Sequence, residues 1–427
     1  MERATQQRRL IAAVLVALAA MAYVAWRPQA GPVVPANAPA AAVAPAPALN
    51  ATVAQPDRVF DPARLDRSMT SASGPGDWAM EGYDPGRTRT IAAEVVLPLT
   101  QRREVRVADD AGYGSPPAIA RGMMLVESKD QLHAFDLRSG TQRWAIPQPG
   151  AYISPAIAGN RAFIRAETGN KGQILALDLA SGKQIWGFTP KRLSSVRNSY
   201  FGGHLTSPVV VEGMVFIGAG KEVYALDAKT GTVLWEFAAQ DYITSSASIA
   251  GGRLYISDFT HFYALDQHNG TLLWSYPTTT SIYFSAVAAG ETVLVSNGED
   301  LIALDAASGM QRWSVRIPGE VLIPAAIRGS QALIKSTSTL YALDMASGKE
   351  LWRFHDTNYV SLPAVAGNMV FVIRGLGPDT AITVLDIATG RSTWQQPVAS
   401  LATTAPVIAG QALYVRTTDG RVLGFWH

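Results

Sequence analysis

The sequence predicts an all-β fold: an eight-bladed β-propeller of four-stranded antiparallel blades, closed by an N-terminal strand and preceded by a single membrane-spanning helix and a disordered linker. Three observations carry that expectation. An eleven-residue pattern, A-x-D-x-x-x-G-x-x-x-W, recurs along the chain. It occurs as Ala134-Asp136-Gly140-Trp144, Ala176-Asp178-Gly182-Trp186, Ala225-Asp227-Gly231-Trp235, Ala264-Asp266-Gly270-Trp274, Ala303-Asp305-Gly309-Trp313 and Ala342-Asp344-Gly348-Trp352, with Val384-Asp386-Gly390-Trp394 differing only at the alanine. The seven tryptophans are spaced 42, 49, 39, 39, 39 and 42 residues apart, the period of one propeller blade. Unit starts of the S/A-P-x-hydrophobic-x-x-G type fall near Ser115, Ser154, Ser207, Ser246, Ser285, Pro324, Pro363 and Pro406, which makes eight.

Residues 1–9 form the first element, with Arg3, Arg8 and Arg9 ahead of an uncharged apolar run. That run, Leu10 to Trp26, is 17 residues long and spans roughly 26 Å as a helix, the short end of what crosses a bilayer core. Upstream basic residues place the N-terminus in the cytoplasm and the remainder outside. The run is read as a signal anchor on the inner membrane, with the propeller in the periplasm. Ala20-Met21-Ala22 supplies the alternative, a cleaved signal peptide releasing a periplasmic protein. Residues 27–77 are Pro/Ala-rich, with too little patterned apolar surface to offset the entropy of ordering them, and are expected to be a disordered tether.

From residue 78 to 427 each unit reads as four short strands, for example Pro208–Val211, Met214–Gly218, Glu222–Asp227 and Thr232–Phe237. They are rich in β-branched and aromatic residues and separated by Gly-containing turns. The motif Asp caps the turn between strands three and four, and the motif Gly supplies positive φ there. Each tryptophan then lies on the outermost strand. Burying one removes roughly 150–250 Å² from water, a gross gain of about 4–6 kcal/mol as an upper bound, so the seven are expected to join neighbouring blades.

The eighth unit reaches Gly424-Phe425-Trp426-His427 without a tryptophan strand, whereas Leu97 to Val107 aligns with one and puts Val105 in the tryptophan slot. Sharing one blade between these two segments closes the ring and removes two exposed strand edges. Seven blades are the alternative if residues 78–107 pack elsewhere.

Charge and composition narrow the function. A formal net charge of +2 over 427 residues provides no basic stripe for nucleic acid. The chain has no cysteine, which removes disulfides, thiolate metal sites, cysteine nucleophiles and an acylated-cysteine anchor. The histidines, His133, His204, His261, His268, His355 and His427, are never at metal-ligand spacing. Glu167-Thr168-Gly169-Asn170 brings oxygens together, but in a hairpin where such residues make turns.

The repeats resemble the PQQ-type propeller repeat from Trp78 to His427. The lead-in Trp78-Ala79-Met80-Glu81-Gly82-Tyr83-Asp84-Pro85-Gly86-Arg87-Thr88 is similar to the W-x-M-x-G-x-D-x-x-R-T opening of such proteins. That resemblance implies one of two functions: a BamB-like scaffold in the assembly of outer-membrane β-barrels, or a quinoprotein dehydrogenase holding pyrroloquinoline quinone (PQQ) and calcium in the propeller mouth. A quinone site needs cations, metal-ligating oxygens, an aromatic floor and a carboxylate base. No such set gathers in the sequence, so no enzyme activity, cofactor or metal is expected, and a PQQ-dependent oxidoreductase is the alternative.

The longest insertion, Thr189 to His204, accounts for the 49-residue tryptophan spacing. Its Lys191, Arg192, Leu193, Val196, Arg197, Tyr200 and Phe201 mix cations with apolar and aromatic side chains, a composition suited to an interface. In BamB-like proteins a loop in a comparable place contacts the barrel-assembly protein. Leu193, Val196 and Arg197 are the nearest equivalents of its residues, and an envelope protein, with the barrel-assembly machinery as the named candidate, is the expected partner.

Overall fold

The computed structural model describes residues 34–35, 53–54, 65–70, 76–107, 115–128, 131–147, 153–168, 171–191, 206–280, 282 and 284–427. The apolar run Leu10–Trp26 lies outside them. Among the described residues no helix is long and apolar enough to cross a membrane.

Eight antiparallel sheets form the eight blades. Blade one consists of Ala118–Ala120, Met123–Glu127, Gln131–Asp136 and Gln142–Pro147, from inner to outer strand. The next six repeat that order, with outer strands Gln184–Phe188, Val233–Ala238, Leu272–Pro277, Gln311–Arg316, Glu350–His355 and Ser392–Pro397. Blade eight takes three strands from Val407–Ala409, Ala412–Arg416 and Arg421–Trp426, and its outer strand is Gln101–Arg106. The shared closing blade expected from the unequal units is therefore present. Inner and middle strands are buried along nearly their whole length, as in Met214–Ala219 and Thr292–Asn297, because both faces of each blade are covered by neighbours.

The eleven-residue motif explains its own geometry. In blade three, Asp227 Oδ1 accepts the backbone N–H groups of Lys229 and Thr230 at 2.8 and 2.7 Å, and Gly231 closes the turn at φ 76°. The glycine has a second role. The tryptophan of the preceding blade lies flat on it, so that a Cβ at Gly182, Gly231, Gly270, Gly309, Gly348 or Gly390 would stand within 2.8 Å of an indole ring atom. Each of those six indoles also donates its Nε1–H to the carbonyl of the residue after the motif Asp: Leu179, Ala228, Gln267, Ala306, Met345 and Ile387, at 2.8–3.1 Å. Six inter-blade joints thus share one design.

The two joints of blade eight depart from it. Its outer strand is not joined to its third strand by an Asp-x-x-x-Gly turn, so Trp394 has no motif glycine to rest on and stays partly exposed against the core. On the other side, register corrects the placement of Val105. Trp235 stands opposite Ala225, and the residue opposite the equivalent Gly424 is Arg103, with Val105 two positions on, opposite Val422. Aligning Leu97–Val107 with a tryptophan strand put Val105 in the slot, whereas pairing fixes Arg103 there. The seven complete hairpins each carry a register shift after the motif alanine or valine, for example between Ala225 and Leu226, and the Arg421–Trp426 pairing carries none.

The lead-in makes a circuit of the inner strands. Trp78 exchanges two backbone hydrogen bonds with Ile119 of blade one, and Ala79 accepts from Ile157 of blade two. Glu81 accepts from Ser207, beside the inner strand of blade three, at 3.0 Å. Pro85, Gly86, Thr88 and Arg89 accept from Ile249, Ala288, Ile327 and Val365 of blades four to seven at 2.7–3.1 Å. Thr90–Ile91 then pairs in parallel with Val365–Ala366. Within residues 27–77, the stretch 65–70 lies on blade three, where Gly213 donates to the Met69 carbonyl at 2.8 Å and Met69 is buried.

Candidate functional site

The long insertion joins the outer strand of blade two, Gln184–Phe188, to the inner strand of blade three, Val209–Val211. In an antiparallel meander such connections emerge on the face opposite the Asp-Gly turns. Of the residues expected to bind a partner, Lys191 is described and Arg192, Leu193, Val196, Arg197, Tyr200 and Phe201 lie outside the described residues. Lys191 is tied to blade three: its Nζ meets Glu236 Oε2 at 2.8 Å and its backbone N–H donates to the Tyr224 hydroxyl at 3.4 Å. Phe188 packs edge-on against the Tyr224 ring at 5.1 Å. The stem of the insertion is thus fixed on two blades.

The next connection on the same face carries Tyr242, an exposed aromatic (43%). The Lys221 ammonium sits 5.3 Å from the centre of its ring and pairs with Asp241 at 3.3 Å. Lys191, Glu236, Lys221, Asp241 and Tyr242 therefore give blades two to four a rim of paired charges around one exposed aromatic. The Tyr242 signal was available in sequence, as an aromatic in a strand-to-strand connection, and was missed because that connection is not lengthened.

Buried ionic groups elsewhere hold loops together. Glu127, at the end of the second strand of blade one, accepts from Ser115 Oγ and from the backbone N–H of Ile153, both at 3.0 Å. Arg416 occupies the same position in blade eight and donates to the carbonyls of Ser115 and Glu127 at 2.9 Å each. Lys335, again at that position in blade six, donates to the Ser336 carbonyl at 2.9 Å and lies 4.8 Å from the centre of the Tyr359 ring. Burial holds its ammonium down at about 8.

In the lead-in, Arg87 lies 3.2 Å and Arg89 4.0 Å from the two oxygens of Glu81. Burial pushes the Glu81 carboxyl up, and the two guanidinium groups outweigh it, leaving the group below its usual range. Burial drives Arg89 down to about 10. Asp84 accepts from the backbone and the hydroxyl of Thr88, Arg87 donates its Nε–H to the Ala247 carbonyl at 2.9 Å and Glu81 accepts from Ser207, so the charged residues of the opening motif tie the lead-in both to itself and to the blades.

The fit of a quinone and calcium follows from these assignments. Among the described residues no three His, Asp or Glu side chains form a metal-holding group. Two buried carboxylates, Asp258 and Asp356, are committed to turns. Asp258 accepts from Asp241, Thr260, His261 and Tyr263, and Asp356 accepts from Asn358, Tyr359 and Arg374. The described residues thus offer no assembled ligand set for the metal. His133 lies between Ser128 and Gln142, and His268 faces Glu212.

Comparison with known proteins gives two kinds of relative on one fold. A family model described as outer membrane protein assembly factor BamB matches residues 87–199, 170–320, 279–363 and 336–426. The outer membrane protein assembly factor BamB of Yersinia pestis is 26% identical over 159 residues, 34% of this chain and 38% of that protein. A 1-butanol dehydrogenase (cytochrome c) of Thauera butanivorans is 24% identical over 201 residues, 44% of this chain and 27% of that protein. The chain thus matches well under two thirds of the length of these relatives. Among solved structures, BamB from Moraxella catarrhalis superposes with a TM-score of 0.59 at 17% identity, covering 78% of this chain and 98% of that one. The quinohemoprotein alcohol dehydrogenase from Comamonas testosteroni gives 0.63 at 15% identity, covering 83% and 81%. Both likenesses show the propeller alone. With four overlapping matches running from residue 87 to residue 426, the chain belongs to the family of PQQ-repeat propellers described as outer membrane protein assembly factor BamB.

Proposed function

We propose that this chain is a non-enzymatic protein–protein interaction scaffold of the bacterial cell envelope, with a component of the outer-membrane barrel-assembly machinery as its partner. The observation that carries the reading is the rim of blades two to four. There the long insertion is rooted by Lys191 on Glu236 and Tyr224, beside the exposed Tyr242. A rigid ring presenting a long loop with cations, Leu193, Val196 and two aromatics is suited to a protein partner. Leu10–Trp26 is proposed to anchor the chain in the inner membrane, with the propeller in the periplasm. Site-specific crosslinking from the loop in intact cells tests this: Arg192→Glu and Arg197→Glu should remove a crosslinked envelope partner. Unchanged crosslinks in both variants refute the loop's role.

The dehydrogenase among the relatives supports a second reading, a PQQ-dependent oxidoreductase. Adding PQQ and calcium to the purified chain and following dye reduction with alcohols separates the two. Sustained turnover would replace the scaffold reading.

A further inference from the structure

The joint between blades eight and one contains a surface cavity where the six joints of the shared design each contain an indole. We propose that it is a binding site for a tryptophan side chain presented by a partner protein. The inference does not depend on the insertion loop or on the identity of the partner proposed above.

The receptor half of the joint is intact. Blade one presents Gly140 at φ 74° and the free-standing turn of Asp136, as every other complete blade does. The Leu137 carbonyl occupies the place of the carbonyls that accept indole N–H groups elsewhere. The donor half is altered. With Arg103 in the slot, a Cβ on Gly140 would meet only Val105 and Arg103, at 3.6 and 3.7 Å, against an indole within 2.8 Å at the six other turns. A cavity of about 40 Å³ remains, with Val105, Met124, Tyr414 and Val422 as its apolar walls, Arg103 and Asp136 on its polar side and Trp426 at its border. That volume holds water but no ring, so the Arg103 side chain must swing aside for an indole to enter.

Arg103 is suited to that movement. It is exposed, and its Nη1 reaches the Leu137 carbonyl at 3.4 Å and the Arg138 carbonyl more closely. It therefore occupies the indole's acceptor without filling the indole's volume, and a solvated guanidinium gives up such a contact at little cost. An incoming tryptophan would lie on Gly140, donate Nε1–H to the Leu137 carbonyl and cover the four apolar walls, repeating contacts this sequence already makes six times. Tryptophan is also one of the side chains enriched at the buried anchor points of protein interfaces.

The test uses the purified full chain and two probes, 3-methylindole and N-acetyltryptophanamide, followed by saturation-transfer NMR. Both probes should bind the wild type, and Arg103→Ala should raise affinity several-fold by removing the obstruction. Arg103→Trp and Arg103→Phe should each lower it by about ten-fold or more by filling the slot, with thermal melting confirming that at least one of them folds. Binding undiminished in a folded filled variant, or absent from the wild type, overturns the site. Binding of 3-methylindole without N-acetyltryptophanamide overturns the partner-protein assignment and leaves a small-molecule indole.

Discussion

Across the joint between blades eight and one, the Arg103 guanidinium donates to the Leu137 carbonyl at 3.4 Å, where between blades six and seven the Trp352 indole donates to the Ile387 carbonyl at 2.8 Å. One hydrogen-bond position is conserved while the apolar disc that should accompany it is missing. Arg103→Trp is therefore expected to stabilise the protein by about 2 kcal/mol, a fraction of the gross value of an indole buried at its full area. Urea denaturation measures it, and a variant less stable than wild type would show that the cavity cannot take the ring.

The motif glycines separate two effects. Gly231 and Gly140 have nearly the same φ, 76° and 74°, so alanine meets similar backbone strain at both. A Cβ at Gly231 lies 2.6 Å from the Trp186 ring, and one at Gly140 is 3.6 Å from Val105. Gly231→Ala should cost about 2 kcal/mol more than Gly140→Ala. Equal losses would mean that strain alone fixes the glycine.

Tryptophans of one sequence pattern should differ in worth. Trp352 is 7% exposed and hydrogen-bonded, whereas Trp394 is partly exposed and faces a blade without the motif turn. Trp352→Ala is expected to cost about 3–5 kcal/mol and Trp394→Ala less than about 2 kcal/mol. Comparable chemical-denaturation midpoints for the two variants would contradict the assignment of six joints rather than seven.

Lys335 sets a pH dependence. Burial lowers its ammonium from an ordinary 10.5 to about 8, with Glu320 acting in the opposite sense. Between those values the unfolded chain binds more protons than the folded one, so this residue's contribution makes stability rise with pH across that window. The cost of burying the charge is fully present below about pH 8, on the order of 3 kcal/mol. Wild type should accordingly gain about 2 kcal/mol on Lys335→Met between pH 7 and pH 10. A pH-independent difference between them would assign the residue's effect to packing.

Much of this architecture was legible because the information is local. An aspartate three residues before a hydroxyl-bearing or amide turn, a glycine at positive φ and a tryptophan four residues on define a hairpin within one window, and eight unit starts count the blades. All seven tryptophans were expected to join blades, but blade eight takes its outer strand from Gln101–Arg106 and has no Asp-x-x-x-Gly turn, so Trp394 is left without a seat. What the sequence hid is non-local. Alignment along the chain made Val105 the tryptophan substitute, but strand register, which depends on the pairing of Gly424 with Arg103, decides the slot. The lead-in pattern gave no sign of its circuit, because each residue's partner lies on a different blade. Tyr242 escaped notice because its connection is not lengthened and the ammonium over its ring, Lys221, comes from an earlier hairpin.

The outer strand of blade eight has a consequence for how the protein is made. Arg421 and Glu104, bonded across that pairing, are 317 positions apart, so this is among the most non-local contacts the chain forms and the slowest kind to find. Blades one to seven can assemble in the order of translation, each against its finished neighbour. The ring itself stays an open arc until Arg421–Trp426 has left the ribosome and paired with Gln101–Arg106.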